Sequence, residues 1–332
     1  MHVWGVRWLT VALAISLGGC GNDDAVAPPL AEPRFGTRED PIAPLEPRTD
    51  LVPARVALGE KLFDDPILSG DGQVRCTTCH LLDEGAADGR RVSKLDNRAK
   101  APAYNTPTVY NVGLNHRFNW TAKFRTLEEQ LEAPLTSPAV MNATFAGVLE
   151  KLHANAEYPR LFAAAYKDGI TEANLRDCMA SYQKSLVTPN SAFDRWLKGD
   201  DNALSAEQRE GYQLFKSRGC ISCHQGTNVG GNLVEKFGAM NERPKDGPLT
   251  EADRGRATIT KAEGDECVFR VPSLRNVART APYFHDGSAN TLEEAVDLMA
   301  VVQLGQPLTT RENFLLVGFL NALTGEYRGK PL

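Results

Sequence analysis

The sequence predicts a mainly α-helical protein built of two helical domains, and three observations support this. Apolar residues recur three or four positions apart in several segments, which is the spacing of one face of an α-helix. Three segments open with Ser or Thr followed three residues later by Glu or Gln, a capping box that marks a helix start. No segment alternates apolar and polar residues over the length of a convincing strand. The capping boxes are Ser205-x-x-Gln208, Thr291-x-x-Glu294 and Thr309-x-x-Glu312.

The predicted helices follow one another along the chain. A first segment leads to a cysteine cluster, and a second contains Leu127 and Leu131. A polar loop at residues 198–202 precedes the box at Ser205 and predicts a domain boundary there. We therefore predict domains over residues 51–200 and 201–332. The apolar positions of the first segment are Val52, Val56, Leu58, Leu62 and Phe63, and those before the loop are Leu175, Met179, Tyr182 and Leu186.

Composition excludes several classes of protein. The chain has 332 residues, 42% hydrophobic and 24% charged, which is ordinary for a globular protein of about two domains. A net charge of -5 without a Lys/Arg run argues against a nucleic-acid-binding protein, which needs a basic face. No apolar stretch reaches the ~20 residues that cross a bilayer, so a polytopic membrane protein is excluded.

Residues 1–19 have the pattern of an export signal. Arg7 precedes an apolar run from Trp8 to Leu17, and small residues follow. Leu17-Gly18-Gly19-Cys20 resembles a bacterial lipobox, in which Cys20 carries the lipid; plain secretion with an incidental Cys20 is the alternative. Residues 20–50, with six prolines among Asp, Glu and Ala, predict a flexible tether. The expected location is the periplasm, with membrane contact only through the lipid anchor.

Four of the seven cysteines form two copies of one motif, Cys76-Thr77-Thr78-Cys79-His80 and Cys220-Ile221-Ser222-Cys223-His224. Cys-x-x-Cys-His is the attachment pattern of c-type haem, with two thioether bonds and a proximal His ligand. Zinc needs four ligands and each cluster offers three, whereas a thioredoxin-like pair needs a surrounding βαβ pattern that is absent. A disulfide across two residues is strained. The sequence therefore predicts two cytochrome c-like helical domains, each with one covalently bound haem.

Two further cysteines, Cys178 and Cys267, lie one in each half of the chain. In an exported protein they can form an interdomain disulfide. Two buried thiols are an equally good interpretation, because the sequence does not give the distance between them.

Several motifs together identify a family. The first half contains Leu62-Phe63-x-x-Pro66-x-Leu68-Ser69-Gly70-Asp71-Gly72, Asn105-Thr106-Pro107-Thr108, Trp120 and Leu127-Glu128-Glu129-Gln130. The second contains Leu214-Phe215-x-x-x-Gly219-Cys220, Phe269-Arg270-Val271-Pro272-Ser273-Leu274-Arg275-Asn276 and Thr280-Ala281-Pro282-Tyr283-Phe284-His285-Asp286-Gly287-Ser288. With these motifs the chain resembles, from Val56 to Gly325, the bacterial di-haem cytochrome c peroxidases. Their relatives include the methylamine-utilisation enzyme that oxidises tryptophan residues of a partner protein.

The resemblance implies a role for each haem. The haem of His80 performs peroxide chemistry, and the haem of His224 relays electrons from a donor. Met299 falls where the family places the distal ligand of the relay haem, although its apolar helix face alone also fits core packing. Trp120 matches the family's tryptophan between the haems, a stepping stone for electrons, and is equally compatible with a core aromatic role.

The resemblance also implies partners and one further cofactor. Asn105, Thr280 and Pro282 match residues whose oxygens bind Ca²⁺ in relatives. Hydrogen peroxide is the expected substrate, and a small periplasmic cytochrome c or cupredoxin is the expected electron donor. A homodimer is one assembly that the sequence leaves open.

Two departures from the family bear on the first haem. Many members keep a His in the loop after this haem, but no His or Met lies between His80 and Asn105 here, so we expect an open haem. Members also place a Gln and, ten residues later, a Glu over the iron. Gln130 matches the Gln, but Val140 stands at the Glu position. Because Val140 cannot transfer a proton, we expect peroxidase activity below that of Glu-containing relatives. Glu132 and His116 are candidate substitutes.

The leading functional interpretation is reduction of hydrogen peroxide to water, as in a cytochrome-c peroxidase-like oxidoreductase. The alternative is a relative that uses peroxide to form a high-valent state and then oxidises a protein partner. Met299 favours the peroxidase, because the tryptophan-oxidising relative has a Tyr ligand on its relay haem.

Overall fold

A computed structural model describes residues 40–93, 104–244 and 247–332. Helices dominate these residues, so the predicted mainly α class is confirmed. The helices of the first half are α1 (Pro53–Phe63), α2 (Leu127–Gln130), α3 (Glu132–Thr136), α4 (Phe145–Ala154), α5 (Tyr158–Ala165), α6 (Glu172–Ser185) and α7 (Ala192–Leu197). Those of the second half are α8 (Ala206–Ser217), α9 (Ala257–Thr260), α10 (Leu292–Leu304) and α11 (Thr310–Asn321).

Each half contains one pair of helices in close contact at a glycine. In the first half α1 packs on α6, and a Cβ on Gly59 would lie 2.1 Å from the carbonyl oxygen of Cys178. In the second half α8 packs on α11, and a Cβ on Gly211 would lie 2.0 Å from the carbonyl oxygen of Leu315. Both glycines therefore permit a helix approach that any larger residue would block. Helices α1 and α8 each precede a Cys-x-x-Cys-His motif.

Of the three hydrophobic clusters in the described residues, two are large. The first joins α1, α5 and α6 and includes Leu62, Phe162 and Tyr182. The second joins α7, α8 and α11 and includes Phe193 and Phe319. The described residues belong to one compact unit, and the division at residues 200 and 201 stays a prediction.

The predicted helix starts at Ser205, Thr291 and Thr309 are confirmed. Each side chain accepts a hydrogen bond from the third residue of α8, α10 or α11, and the acidic or amide side chain there accepts from the cap. Around Leu131 the sequence indicated one segment, but the structure has two short helices, α2 and α3, because Pro134 follows closely and disfavours helical continuation.

Four short strands add two antiparallel pairs that the sequence pattern did not predict. Strand β1 (Val234–Lys236) pairs with β2 (Val268–Arg270), and β3 (Glu326–Tyr327) pairs with β4 (Lys330–Pro331). Strands of two or three residues are too short to show alternation. Tyr327 packs against the first hydrophobic cluster, so the last strands return to the first half of the chain.

The last part of the predicted tether is packed. Ile42 and Leu45 are each 1% exposed, and the Leu45 main-chain N–H donates to the carboxylate of Asp194 over 2.9 Å. The Arg275 guanidinium also donates to Asp194, over 2.7 Å, and to the carbonyl of Ala43 over 3.0 Å. Residues 42–45, near the end of the predicted flexible tether, are therefore packed, because the apolar side chains there occupy a buried site.

The signal region 1–19, Cys20 and the tether up to residue 39 lie outside the described residues. Among the residues that are described, no helix combines the length and apolar character needed to span a membrane.

Candidate haem sites

The first Cys-x-x-Cys-His motif forms a tight turn after α1. Cys76–Thr78 is a 3-10 turn, and the His80 N–H donates to the carbonyl of Cys76 over 3.0 Å. The ring Nδ1–H of His80 donates a hydrogen bond to the carbonyl oxygen of Ala86 over 3.2 Å. Burial lowers the pKa of His80, so the ring is neutral and its Nε2 is available for iron. The centroid of the Phe63 ring lies 6.2 Å from that of the imidazole, with the two planes tilted by 41°.

The second motif repeats this geometry after α8. Cys220–Ser222 is a 3-10 turn, and the His224 N–H donates to the carbonyl of Cys220 over 3.0 Å. Burial lowers the pKa of His224 to about 4, which again gives a neutral ring. Gly230, at φ 126°, approaches this ring so closely that a Cβ would lie 3.2 Å from Nδ1.

The second turn opens into a cavity of about 560 Å³, which we call the relay cavity. Cys220, Cys223 and His224 line it on one side, and its volume lies in the range of cofactor pockets. The apolar lining includes Phe215, Leu292, Val296, Leu316 and Leu320. Burial raises the pKa of the Cys220 thiol to about 11, so before haem attachment this thiol is protonated at neutral pH. These residues fit a covalently bound haem.

Met299 lies on α10 and lines the relay cavity together with His224. Helix α10 presents Leu292 and Ala295 to the second hydrophobic cluster, while Met299 is only half-buried and faces the cavity. This placement supports Met299 as the second iron ligand, and its ligand role stays a prediction.

Trp120 also lines the relay cavity and is 8% exposed. Its indole Nε1 donates to the main-chain carbonyl of Asn105 over 2.8 Å, and its own carbonyl accepts from the N–H of Arg270 over 2.9 Å. Trp120 is thus held between a segment of the first half and strand β2 of the second.

The three predicted calcium ligands belong to the lining of the relay cavity. Asn105, Thr280 and Pro282 all line it. The Asn105 side-chain Nδ2 donates to the carbonyl of Arg90 over 2.8 Å, which leaves its amide oxygen as the acceptor end. One amide oxygen with main-chain carbonyls is a neutral oxygen set of the kind Ca²⁺ accepts with added water. The site stays a prediction.

Of the predicted distal residues, Gln130 is the last residue of α2 and is half-buried. Val140 is half-buried and packs against the first hydrophobic cluster, next to Met141 at 2% exposed. Glu132 and His116, the candidate substitutes for an acid, are both exposed. Exposure favours solvated surface roles for these two side chains.

The loop after the first motif is described only in part. Arg90 and Arg91 are exposed, as the sequence indicated, and residues 94–103 lie outside the described residues. The absence of a capping His here therefore rests on the sequence. Cys178 and Cys267 are not joined by a disulfide, so of the two interpretations the structure has two thiols. Cys178 is buried in α6 and donates to the carbonyl of Leu175.

Sequence reasoning missed two buried charged groups beside Trp120. Arg270 is 6% exposed and lines the relay cavity. The Asp253 carboxylate accepts a hydrogen bond from Nε2 of the His285 ring over 3.1 Å, and Arg243 forms an ion pair with Asp286. The motif containing Arg270 was visible in the sequence, but only the fold shows that the guanidinium is buried.

Two attachment turns on a helical fold define the class of protein as a di-haem c-type cytochrome. The chain belongs to the di-haem cytochrome c peroxidase family, whose model matches residues 53–202. It is 36% identical to the cytochrome c551 peroxidase of Nitrosomonas europaea, over 96% of this chain and 92% of that protein. It is 39% identical to the cytochrome c peroxidase Ccp of Escherichia coli K12, over 87% of this chain. The chain spans only 62% of that longer relative.

The fold agrees with solved structures of the same kind. A MauG-like protein associated with microbial copper homeostasis superposes with a TM-score of 0.73 at 28% identity, over 87% of this chain and 95% of that one. Family membership confirms the predicted oxidoreductase class and two c-type haems as cofactors.

Proposed function

We propose that this protein is a periplasmic di-haem peroxidase. It takes two electrons from a small cytochrome c or cupredoxin and, with two protons, reduces one hydrogen peroxide to two water molecules. The observation that carries this proposal is Trp120, which lines the relay cavity and is hydrogen-bonded to Asn105 of the first half and Arg270 of the second. The relatives named cytochrome c peroxidases support it.

Two sets of residues hold the two haems, and each haem has its own role. Cys220, Cys223, His224 and Met299 hold the relay haem, and the Met ligand favours a high reduction potential. Cys76, Cys79 and His80 hold the other haem. Bound haem supplies one-electron chemistry at the relay site and a face for peroxide at the first site. Trp120 gives electrons a short aromatic step between the two sites.

The distal pocket of the first site has one of the two polar groups that the family places there. The Gln130 amide can donate a hydrogen bond to bound peroxide and steady developing charge. Val140 cannot carry a proton from the inner to the outer peroxide oxygen, and loss of such a group typically costs about 10² to 10⁴ in rate. Peroxide reduction is therefore slow relative to that of relatives with Glu.

The presence of Val140 where relatives have Glu also favours a second candidate function. In this function the protein oxidises a protein partner, with peroxide as the oxidant. An enzyme of that kind keeps two oxidising equivalents until the partner binds, and slow peroxide turnover suits this task. The likeness to a MauG-like structure is compatible with it.

Steady-state kinetics distinguish the two candidates. Consumption of peroxide over many turnovers with reduced cytochrome c supports the peroxidase, even at a rate below that of relatives with Glu. Negligible turnover together with a long-lived oxidised species after one equivalent of peroxide supports the protein-oxidising enzyme.

The proposal includes three features of the assembly. Cys20 carries a lipid that holds the protein at a membrane in the periplasm. One Ca²⁺ is bound by Asn105, Thr280 and Pro282, which all line the relay cavity. The proposed assembly is a homodimer. Size-exclusion chromatography with light scattering tests this.

A further inference from the structure

Arg270 is a buried cation for which the described residues supply no counter-charge. It ends strand β2 and is 6% exposed. Its Nε donates to the main-chain carbonyl of Asn119 over 3.3 Å, and it forms no ion pair with any described residue. Burial alone lowers the pKa of Arg270 to about 10, with no carboxylate acting in the opposite direction. An isolated buried charge is costly, so such a group normally has an anionic partner.

Arg275 is a second buried arginine in this fold, and it has a carboxylate partner. It is 1% exposed and pairs with the carboxylate of Asp194 at 2.7 Å. Its remaining donors reach the carbonyls of Thr227 and Ala43, each over 3.0 Å. Arg275 therefore has a buried counter-charge in Asp194, whereas no carboxylate of the described residues pairs with Arg270.

The partner of Arg270 has to come from the relay cavity. Arg270 lines this cavity together with His224 and Met299, the two predicted ligands of the relay iron. The occupant of such a cavity is a haem, which carries two propionate carboxylates. Lys236 also lines the cavity, but it lies on the exposed face of β1 and is solvated. A buried guanidinium and a haem carboxylate are complementary in charge and in geometry.

We propose that Arg270 is the counter-charge of a propionate of the relay haem, and that it ties this propionate to the Trp120 segment. Arg270 connects the two because its side chain pairs with the propionate, while its main-chain N–H donates to the carbonyl of Trp120 over 2.9 Å. Arg270 is thus a positioning residue for Trp120 and sets the local electrostatics of the haem. Its effect on catalysis rests on the proposed relay role, whereas the charge pair itself requires only haem at the second motif.

The charge pair has a measurable consequence for the reduction potential. A cation beside the propionate offsets negative charge near the iron and favours Fe(II). Arg270→Gln removes the cation and is expected to lower the equilibrium constant for reduction of the relay haem about tenfold, about 59 mV for one electron. Arg270→Lys keeps the charge and is expected to retain most of the wild-type potential. The measurement is a spectroelectrochemical titration of the intact di-haem protein.

Arg256→Gln is the matched control. Arg256 lies near β2, is partly exposed and pairs with Asp265 at 3.6 Å, and it does not line the relay cavity. The same change of charge there is expected to leave the potential of the relay haem unaltered. An equal shift in this control would overturn the proposal, because the effect would then be long-range.

Haem content gives the readout if a variant assembles poorly. Retention of the second haem in Arg270→Lys and its loss in Arg270→Gln support the charge pair. Equal loss in both variants contradicts it, because shape rather than charge would then hold the site. An Arg270→Gln protein with both haems and an unchanged potential also contradicts it. None of these outcomes depends on peroxide turnover, so failure of the proposed function would appear separately, in the kinetic assay.

Discussion

The indole Nε1 of Trp120 donates a hydrogen bond to the main-chain carbonyl of Asn105, 2.8 Å away. The Asn105 main-chain N–H in turn donates to the carbonyl of His285 over 2.8 Å. One residue of the first half therefore holds Trp120 and a loop of the second half in a fixed relation. A movement of Asn105 would therefore displace Trp120, the proposed electron step between the two haem sites.

Trp120→Phe tests this step. The variant leaves the buried carbonyl of Asn105 without its indole donor, so we expect the free energy of unfolding to fall by about 1–3 kcal/mol. Electron transfer between the haems should slow as well, as measured by stopped-flow spectroscopy after reduction of the relay haem. Trp196→Phe is the control, since Trp196 is 9% exposed in the second cluster and does not line the relay cavity. An unchanged transfer rate in Trp120→Phe would exclude the stepping-stone role.

Val140→Glu tests the distal pocket. A carboxyl at this position restores proton transfer, and we expect the rate of reaction with peroxide to rise at least about tenfold. In the control Val140→Gln, the side chain has nearly the same shape as Glu but carries no acid. This variant is expected to leave the rate of reaction with peroxide unchanged. The prediction is wrong if Val140→Glu reacts no faster while Glu132→Gln or His116→Ala abolishes the reaction, because the proton would then come from an exposed residue.

The first haem should be open in the oxidised protein as isolated. No His or Met lies between His80 and Asn105 to cap it. We expect a high-spin haem that binds cyanide without prior reduction, seen in the absorption and electron paramagnetic resonance spectra. Two low-spin, six-coordinate haems would contradict this prediction.

Met299→Ala tests the second ligand of the relay haem. Loss of the thioether should lower the potential of that haem and open one coordination position. Met240→Ala is a suitable comparison, because Met240 is 63% exposed and does not line the relay cavity. A spectrum and potential identical to wild type in Met299→Ala would assign Met299 to core packing.

Acid should weaken the attachment of α8 to α11. The Arg218 guanidinium beside Glu312 lowers the pKa of that carboxyl from the ordinary 4.5 to about 2. A depressed pKa means that the pair stabilises the fold fully above pH 4.5 and loses this effect as the pH falls toward 2. Glu312→Gln should therefore lower the melting temperature at pH 7 but not near pH 2.

The amide in Glu312→Gln preserves the capping box, since Gln also serves at this position. Glu294→Gln makes the same change in the box of α10 and isolates the cost of altering the cap itself. Equal pH profiles for the two variants would show that Arg218 contributes nothing.

The sequence predicted the parts of the fold that local chemistry decides. The boxes at Thr291 and Thr309 mark helix starts because the donors they satisfy lie within the same four residues. The two attachment turns were likewise readable, because thiols and imidazole must be adjacent in the chain to hold one haem. Family membership and the oxidoreductase class followed from these motifs.

The remaining parts depend on contacts between distant residues. Nothing near Arg270 in the chain shows that its side chain is buried without a carboxylate, because that results from the pairing of β1 with β2. The burial of Ile42 similarly depends on residues far along the chain, including Phe193 and Tyr212. From its sequence alone, a proline-rich segment with few apolar residues is predicted to be a linker, because the distant residues that bury it are not visible there.

The packed segment at residues 42–45 decides where a recombinant form of this protein can begin. A version that starts after Leu45 would lack two core side chains and the main-chain donor to Asp194, and would leave Arg275 with one acceptor fewer. Asp40 also accepts from the hydroxyl of Tyr212. A recombinant form for crystallisation should therefore start upstream of Asp40, so that these contacts are kept.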